Sequence, residues 1–129
     1  MIPLLAALLT VQPVPTNDVE GHWRNPSGTV VILIASCGNA LCGHVQWASD
    51  KAKADALDGG TSGLIGKQLL SGFTNKGNGR WRGRLFIPDL NHRSKAEIRL
   101  VGADRLKVTG CAIGRMLCKS QLWTRTDPQ

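Results

Sequence analysis

The sequence contains no tyrosine, two phenylalanines and four tryptophans in 129 residues. So few aromatics leave little from which to build a stacking platform for single-stranded nucleic acid, whose bases need successive exposed rings. Nothing approaches the ~20-residue apolar stretch required of a membrane-spanning helix. Acidic residues are scarce, 9 against 16 Lys plus Arg, which gives a formal charge of +7. A charged fraction of 19% beside 42% apolar residues excludes an intrinsically disordered chain. The 15 glycines follow no three-residue period, so the chain is not collagen-like. What is left is one small basic domain, since domains commonly run about 100–150 residues.

Met1 to Thr16 carry no charged side chain. Ile2 to Val11 form an apolar core of the size of a secretory h-region, which spans ~7–15 residues, before Pro13 and Pro15 interrupt it. A basic residue ahead of this core and an Ala-x-Ala cleavage site are both missing, and Val14-x-Thr16 is a weak substitute. Two readings stand. One is a signal peptide over 1–16, leaving a single domain over 17–129 in the periplasm or outside the cell; the other is an apolar arm packed on the body. Cysteine usage favours the first. Cys37 and Cys42 bracket a glycine-containing turn, as do Cys111 and Cys118. Neither spacing is the common two-residue one of a zinc knuckle. Four cysteines permit three pairings, of which the local one, Cys37–Cys42 with Cys111–Cys118, demands the least chain reorganisation. Such bonds suit an oxidising compartment, with reduced buried thiols as the alternative.

Beyond Glu20 the chain reads as short apolar or alternating runs separated by turn residues. Thr29 to Ala35 is β-branched and apolar, bounded by Pro26-Ser27-Gly28 and Cys37-Gly38. Gly43 to Ala48 alternates, placing Val45 and Trp47 together on one face. Arg80 to Ile87 alternates more clearly, with Trp81, Gly83, Leu85 and Ile87 on one side and Arg80, Arg82, Arg84 and Phe86 on the other. Ala96, Ile98 and Leu100 repeat the device; Leu106 and Val108 continue it, and Leu117 to Thr124 gives a last run. The one plausible helix lies over Asp50–Asp58, capped by Ser49 or Asp50 and stopped by Gly59-Gly60. Without crossover helices a parallel sheet is excluded. The expectation is an all-β fold: a small antiparallel β-barrel of about eight strands with at most one short helix.

Several local patterns coincide: Gly21-His-Trp23, Cys37-Gly-Asn-Ala-Leu-Cys42-Gly43, Leu69-Leu-Ser-Gly72, Trp81-Arg-Gly83, Pro88-Asp89, Leu106-Lys-Val-Thr-Gly110 and Gln121-Leu-Trp123-Thr-Arg125. Together they resemble the exported bacterial family called domain of unknown function 2147, over about Val19 to Arg125. The resemblance implies a lipocalin-like or fatty-acid-binding-protein-like barrel made with a signal peptide, and it implies no established activity. The sequence departs from the family in its Ala-, Asp- and Gly-rich stretch Ala48–Gly63. It also has Arg93-Ser94-Lys95 where a tyrosine often follows the Pro-Asp turn. Gly21-x-Trp23 with late Arg125 resembles the barrel-closing pair of lipocalins, which implies that Trp23 and Arg125 are structural.

Enzyme signatures do not assemble. Ser62 to Gln68 fails the phosphate-loop pattern at both ends, since Thr61 stands where a glycine is needed and Gln68 where Ser or Thr is needed. His22, His44 and His92 are far apart in sequence with no ligand spacing between them, so neither metal nor cofactor is expected. Charge is the strongest remaining signal. Lys76 to Arg99 holds seven bases, among them Arg80, Arg82, Arg84 and Arg99, and only two acids, Asp89 and Glu97. This is either a solvated outer face or a surface for an anionic component of the cell envelope. Nucleic acid does not suit an exported protein. The barrel interior, with Trp47, Trp81, Leu85, Ile98 and Leu100 as inward-facing candidates, is either a filled core or a pocket for a small hydrophobic ligand. The resulting expectation is a monomeric, exported, non-enzymatic barrel that binds an apolar or amphiphilic ligand. A basic surface module and an enzyme of unidentified reaction are the alternatives.

Overall fold

A computed structural model of the chain describes residues 19–113 and 117–127, so the leader expected over 1–16 lies outside the described residues. The alternating runs form β1 (Gly21–Arg24), β2 (Val30–Cys37), β3 (Ala40–Ala48), β4 (Gln68–Gly77), β5 (Arg80–Ile87), β6 (His92–Leu100), β7 (Arg105–Ile113) and β8 (Leu117–Arg125). Each strand pairs antiparallel with its chain neighbour, and β1 meets β8 at Trp23↔Arg125, closing an eight-stranded barrel. Antiparallel order follows from the short turns. The β4–β5 hairpin, for example, turns through Asn78 and Gly79, both at positive φ (57° and 74°), the Asn-Gly pair that a tight hairpin of matching twist favours.

The single α-helix, α1 (Asp50–Asp58), lies between β3 and β4 and is capped as the sequence suggests: Ser49 Oγ accepts from the Ala52 amide at 3.1 Å. Ala52 and Ala56 bury the inner side of the helix in the core. At its C-terminus Gly59 stops the helix against the 3-10 turn Pro88–Leu90. A Cβ on Gly59 would run into the Asp89 carbonyl, so only glycine permits that contact. Just beyond, Thr61 Oγ1 donates to the Pro88 carbonyl at 2.7 Å. The helix and this turn thereby sit together at one end of the barrel, the mouth.

Two expectations fail for reasons of local geometry. Trp47 does not share a face with Val45. Ile32 pairs with Val45 while the adjacent Val31 pairs with Trp47, so Gln46 is an extra, bulged residue. A bulge resets the alternation. Val45 (1% exposed) therefore stays inside with Ile32, and Trp47 lies outside with Val31 and Arg24. Phe86, expected to face outward, is 8% exposed and belongs to the core cluster that also takes in Ala52 and Ala56 of α1 and Leu64 beyond it, so the helix region extends the core past the barrel wall. Arg93, its cross-strand partner, stacks on the ring at 5.2 Å.

Candidate ligand cavity and basic outer face

The two ends of the barrel differ. At one end Trp23 is fully buried, and its Nε1 donates to the Val19 carbonyl at 2.9 Å. The Arg125 guanidinium stacks on the indole, 4.3 Å from its centroid, while Nη1 donates to the Glu20 carbonyl at 2.9 Å and Nε to the Ala103 carbonyl at 3.2 Å. Gly21, at φ +130°, makes room for this arginine, since a Cβ there would lie 2.7 Å from Nη1. These contacts close the floor.

The other end opens into a cavity of about 1160 Å³. Its walls combine the inner faces of several strands: Val30, Leu69, Leu85, Val108 and Trp123 supply apolar surface. The β1–β2 turn, α1 and the 3-10 turn surround the opening through Asn25, Asp55 and Asp89. Small barrels either fill their interior or hold one ligand, and a volume of this size is above the ~300–1,000 Å³ of ordinary ligand pockets. Polar groups enter from β8. Lys119 and Gln121 line the same cavity and are exposed although they point inward. Trp123 Nε1 donates to Gln121 Oε1 at 3.0 Å.

Charge at the mouth is partly neutralised. Lys51 and Asp55 pair at 2.7 Å across one helical turn, and this hydrogen bond holds the Lys51 ammonium above its ordinary pKa. Burial, and then the nearby Asp55 carboxylate, push Asp89 above its ordinary 3.8, with Lys51 opposing. A carboxyl whose folded-state pKa is raised costs the folded state when ionised; the cost is present above the folded pKa and absent below the unfolded one. Asp89→Asn should therefore raise the melting temperature slightly at pH 7 and leave it unchanged well below pH 3.8, as a thermal series across pH would show.

The outer face carries the basic residues. Cross-strand register sets Arg80 opposite Arg99, Arg82 opposite Glu97, Arg84 opposite Lys95, and Arg99 opposite Lys107. One acid answers this set: Arg82 Nε reaches Glu97 Oε1 at 3.1 Å. Both partners are substantially exposed, so the pair contributes little, about 0–1 kcal/mol. Directly opposed like charges on a sheet are unfavourable.

A family profile for bacterial proteins of uncharacterised function, DUF2147, matches residues 21–125. The chain belongs to this family. Among solved structures, a lipocalin-family protein of Helicobacter pylori, HP1028, superposes with a TM-score of 0.64 at 11% identity, covering 84% of this chain and 83% of that one. The likeness is one of fold: a lipocalin-like barrel. No curated protein matches the sequence significantly.

In this DUF2147 barrel the residues expected to line the interior part company. Leu85 faces the cavity. Ile98 is fully buried in the core, Trp81 and Leu100 pack half-buried against that core, and Trp47 lies outside. The cysteines form the local disulfides, Cys37–Cys42 across the β2–β3 turn and Cys111–Cys118 across the β7–β8 hairpin. Arg80, Arg82, Arg84 and Arg99 do form one outer surface. Sequence reasoning missed Trp123, Gln121 and Lys119. The signal was available in the two-residue spacing that links all three to Arg125 on the floor. Among the described residues no three His, Cys, Asp or Glu side chains gather as a metal site, and no helix is long and apolar enough to cross a membrane.

Proposed function

We propose that this DUF2147 protein binds a small apolar or amphiphilic molecule inside its barrel, acting as a monomeric binding protein in the periplasm or outside the cell. The observation that carries the reading is the open, apolar-walled cavity above a floor closed by Trp23 and Arg125. The two disulfides support an oxidising compartment. Native mass spectrometry of the protein purified from its own host tests the reading. A copurifying mass in the lipid range is expected, and it should be lost in Leu85→Lys, which sets a charge in the wall. Protein that carries no such mass and binds no apolar probe would refute it.

A second reading rests on the opposed basic pairs of β5, β6 and β7, which suit an anionic component of the envelope. In that case Arg80→Glu with Arg84→Glu should weaken binding to anionic vesicles at least tenfold. Binding by the unaltered protein should also fall steeply between low and physiological salt. Binding that ignores salt would exclude this reading.

A further inference from the structure

β8 has an inverted pattern. Its apolar Leu122 is 44% exposed on the outside, while Lys119, Gln121 and Trp123 face the lumen. The inward direction of Lys119 is fixed by its neighbours. It stands opposite Gly110, where a Cβ would meet Leu85 Cδ2 at 2.8 Å and lie 3.5 Å from Ser94 Oγ. Glycine at that position lets the Leu85 side chain lie against the β7 backbone next to Lys119. The three inward residues also form a gradient of depth. Lys119 lies near the start of β8 at the mouth, Gln121 is next, and Trp123 is buried toward the Trp23–Arg125 floor.

Lys119 has no ion-pair partner among the described residues, unlike Lys51 at the mouth, which is held by Asp55. Gln121 gives its Oε1 to Trp123, which leaves its amide N–H groups free to donate to an acceptor on a ligand held beside Lys119. Ser94 Oγ, on the same inner face beside Leu85, is buried without a hydrogen-bond partner. Of these, Lys119 and Gln121 line the cavity and place donors and one positive charge at its upper rim, above the apolar walls and apart from the Lys51–Asp55 pair. An ammonium beside apolar walls attracts an anion that brings its own apolar body.

We propose that the lumen takes a single-chain amphiphile with an anionic head group, carboxylate or similar. The head sits at Lys119 and Gln121 near the mouth and the chain runs down toward Trp123. The proposal deepens the cavity reading and depends on it. Asp89 lies at the same opening and would favour a cationic head instead, so the sign of the preferred head is the decisive measurement.

The test is displacement of the neutral probe N-phenylnaphthylamine by tetradecanoate, tetradecanol and tetradecylamine at pH 8. The unaltered protein should prefer tetradecanoate over tetradecanol by about 10- to 100-fold, the range for a hydrogen-bonded charge. Lys119→Met should reduce that preference to within about threefold, chiefly by weakening tetradecanoate, because the acid loses an ionic partner and the alcohol at most a neutral hydrogen bond. Lys119→Arg should keep the preference, and Gln121→Leu should lower it in part. Lys119 is exposed, so its two variants should show unchanged circular dichroism and melting. Equal binding of acid and alcohol, tighter binding of the amine, or a preference unaffected by Lys119→Met would each overturn the head-group assignment while leaving the cavity reading standing. Failure of all three compounds, and of the probe, would overturn both.

Discussion

Trp23→Ala is expected to lower the unfolding free energy by about 3–5 kcal/mol, the range for deleting a large buried aromatic. Three effects converge on this side chain. It is 0% exposed, so truncation leaves a cavity with little freedom to collapse inside a closed barrel. Its Nε1 bond ties the Val19 carbonyl to the floor. Its ring is also the surface on which Arg125 stacks, and Arg125 in turn spans the Glu20 and Ala103 carbonyls. Removing the indole therefore loosens the β1–β8 closure, the seam with the fewest paired residues. Urea unfolding followed by circular dichroism should show the full loss, with a melting temperature at least about 10 °C lower. Arg125→Lys keeps the charge but loses the planar stack, and should cost only about 0.5–2 kcal/mol. A Trp23→Ala variant within about 1 kcal/mol of the unaltered protein would show that the floor is not held this way.

The strands that alternate cleanly were legible in the sequence, and so was the helix, because its cap and stop residues are local signals. Register was not. The bulge at Gln46 has no sequence signature of its own, yet it turns Trp47 out of the barrel that Val45 enters. β4 was obscure for a similar reason. Its second half, Thr74 to Gly77, is polar and exposed, and its pairing with β5 shifts between Ser71 and Thr74 and again between Asn75 and Gly77. The cavity was hidden by the assumption that apolar residues face inward. On β5 and β6 that assumption works, since Leu85 and Ile98 are inside and the arginines outside. On β8 it fails because the lumen there is not a core: Lys119 and Gln121 line the cavity yet stay exposed, so facing inward does not bury them. On β8, then, hydrophobic patterning misreads the strand because its inner face borders the cavity and not the packed core.

Reducing both disulfides should destabilise the barrel by about 4–5 kcal/mol in total, and the two contributions should add. In the chain-entropy model a loop closed over this few residues is worth roughly 2–2.5 kcal/mol. Cys37–Cys42 and Cys111–Cys118 have sequence separations of 5 and 7, so neither dominates. They stand at opposite ends. The β2–β3 turn lies at the end closed by Trp23 and Arg125, whereas the β7–β8 hairpin lies at the mouth beside Lys119. Sites this far apart share no partners, and their effects on stability are normally independent within about 0.5 kcal/mol. Their effects on binding should differ. Cys37→Ser with Cys42→Ser should lower stability and leave affinity for an apolar probe unchanged. Cys111→Ser with Cys118→Ser should lower stability by a similar amount and also speed probe release, because the freed hairpin carries the first residues of β8, on which the cavity's polar groups are mounted. Urea titration and stopped-flow release on the two double variants separate these outcomes. Equal release rates from both would show that the mouth hairpin does not govern access to the lumen, and that its disulfide serves folding alone.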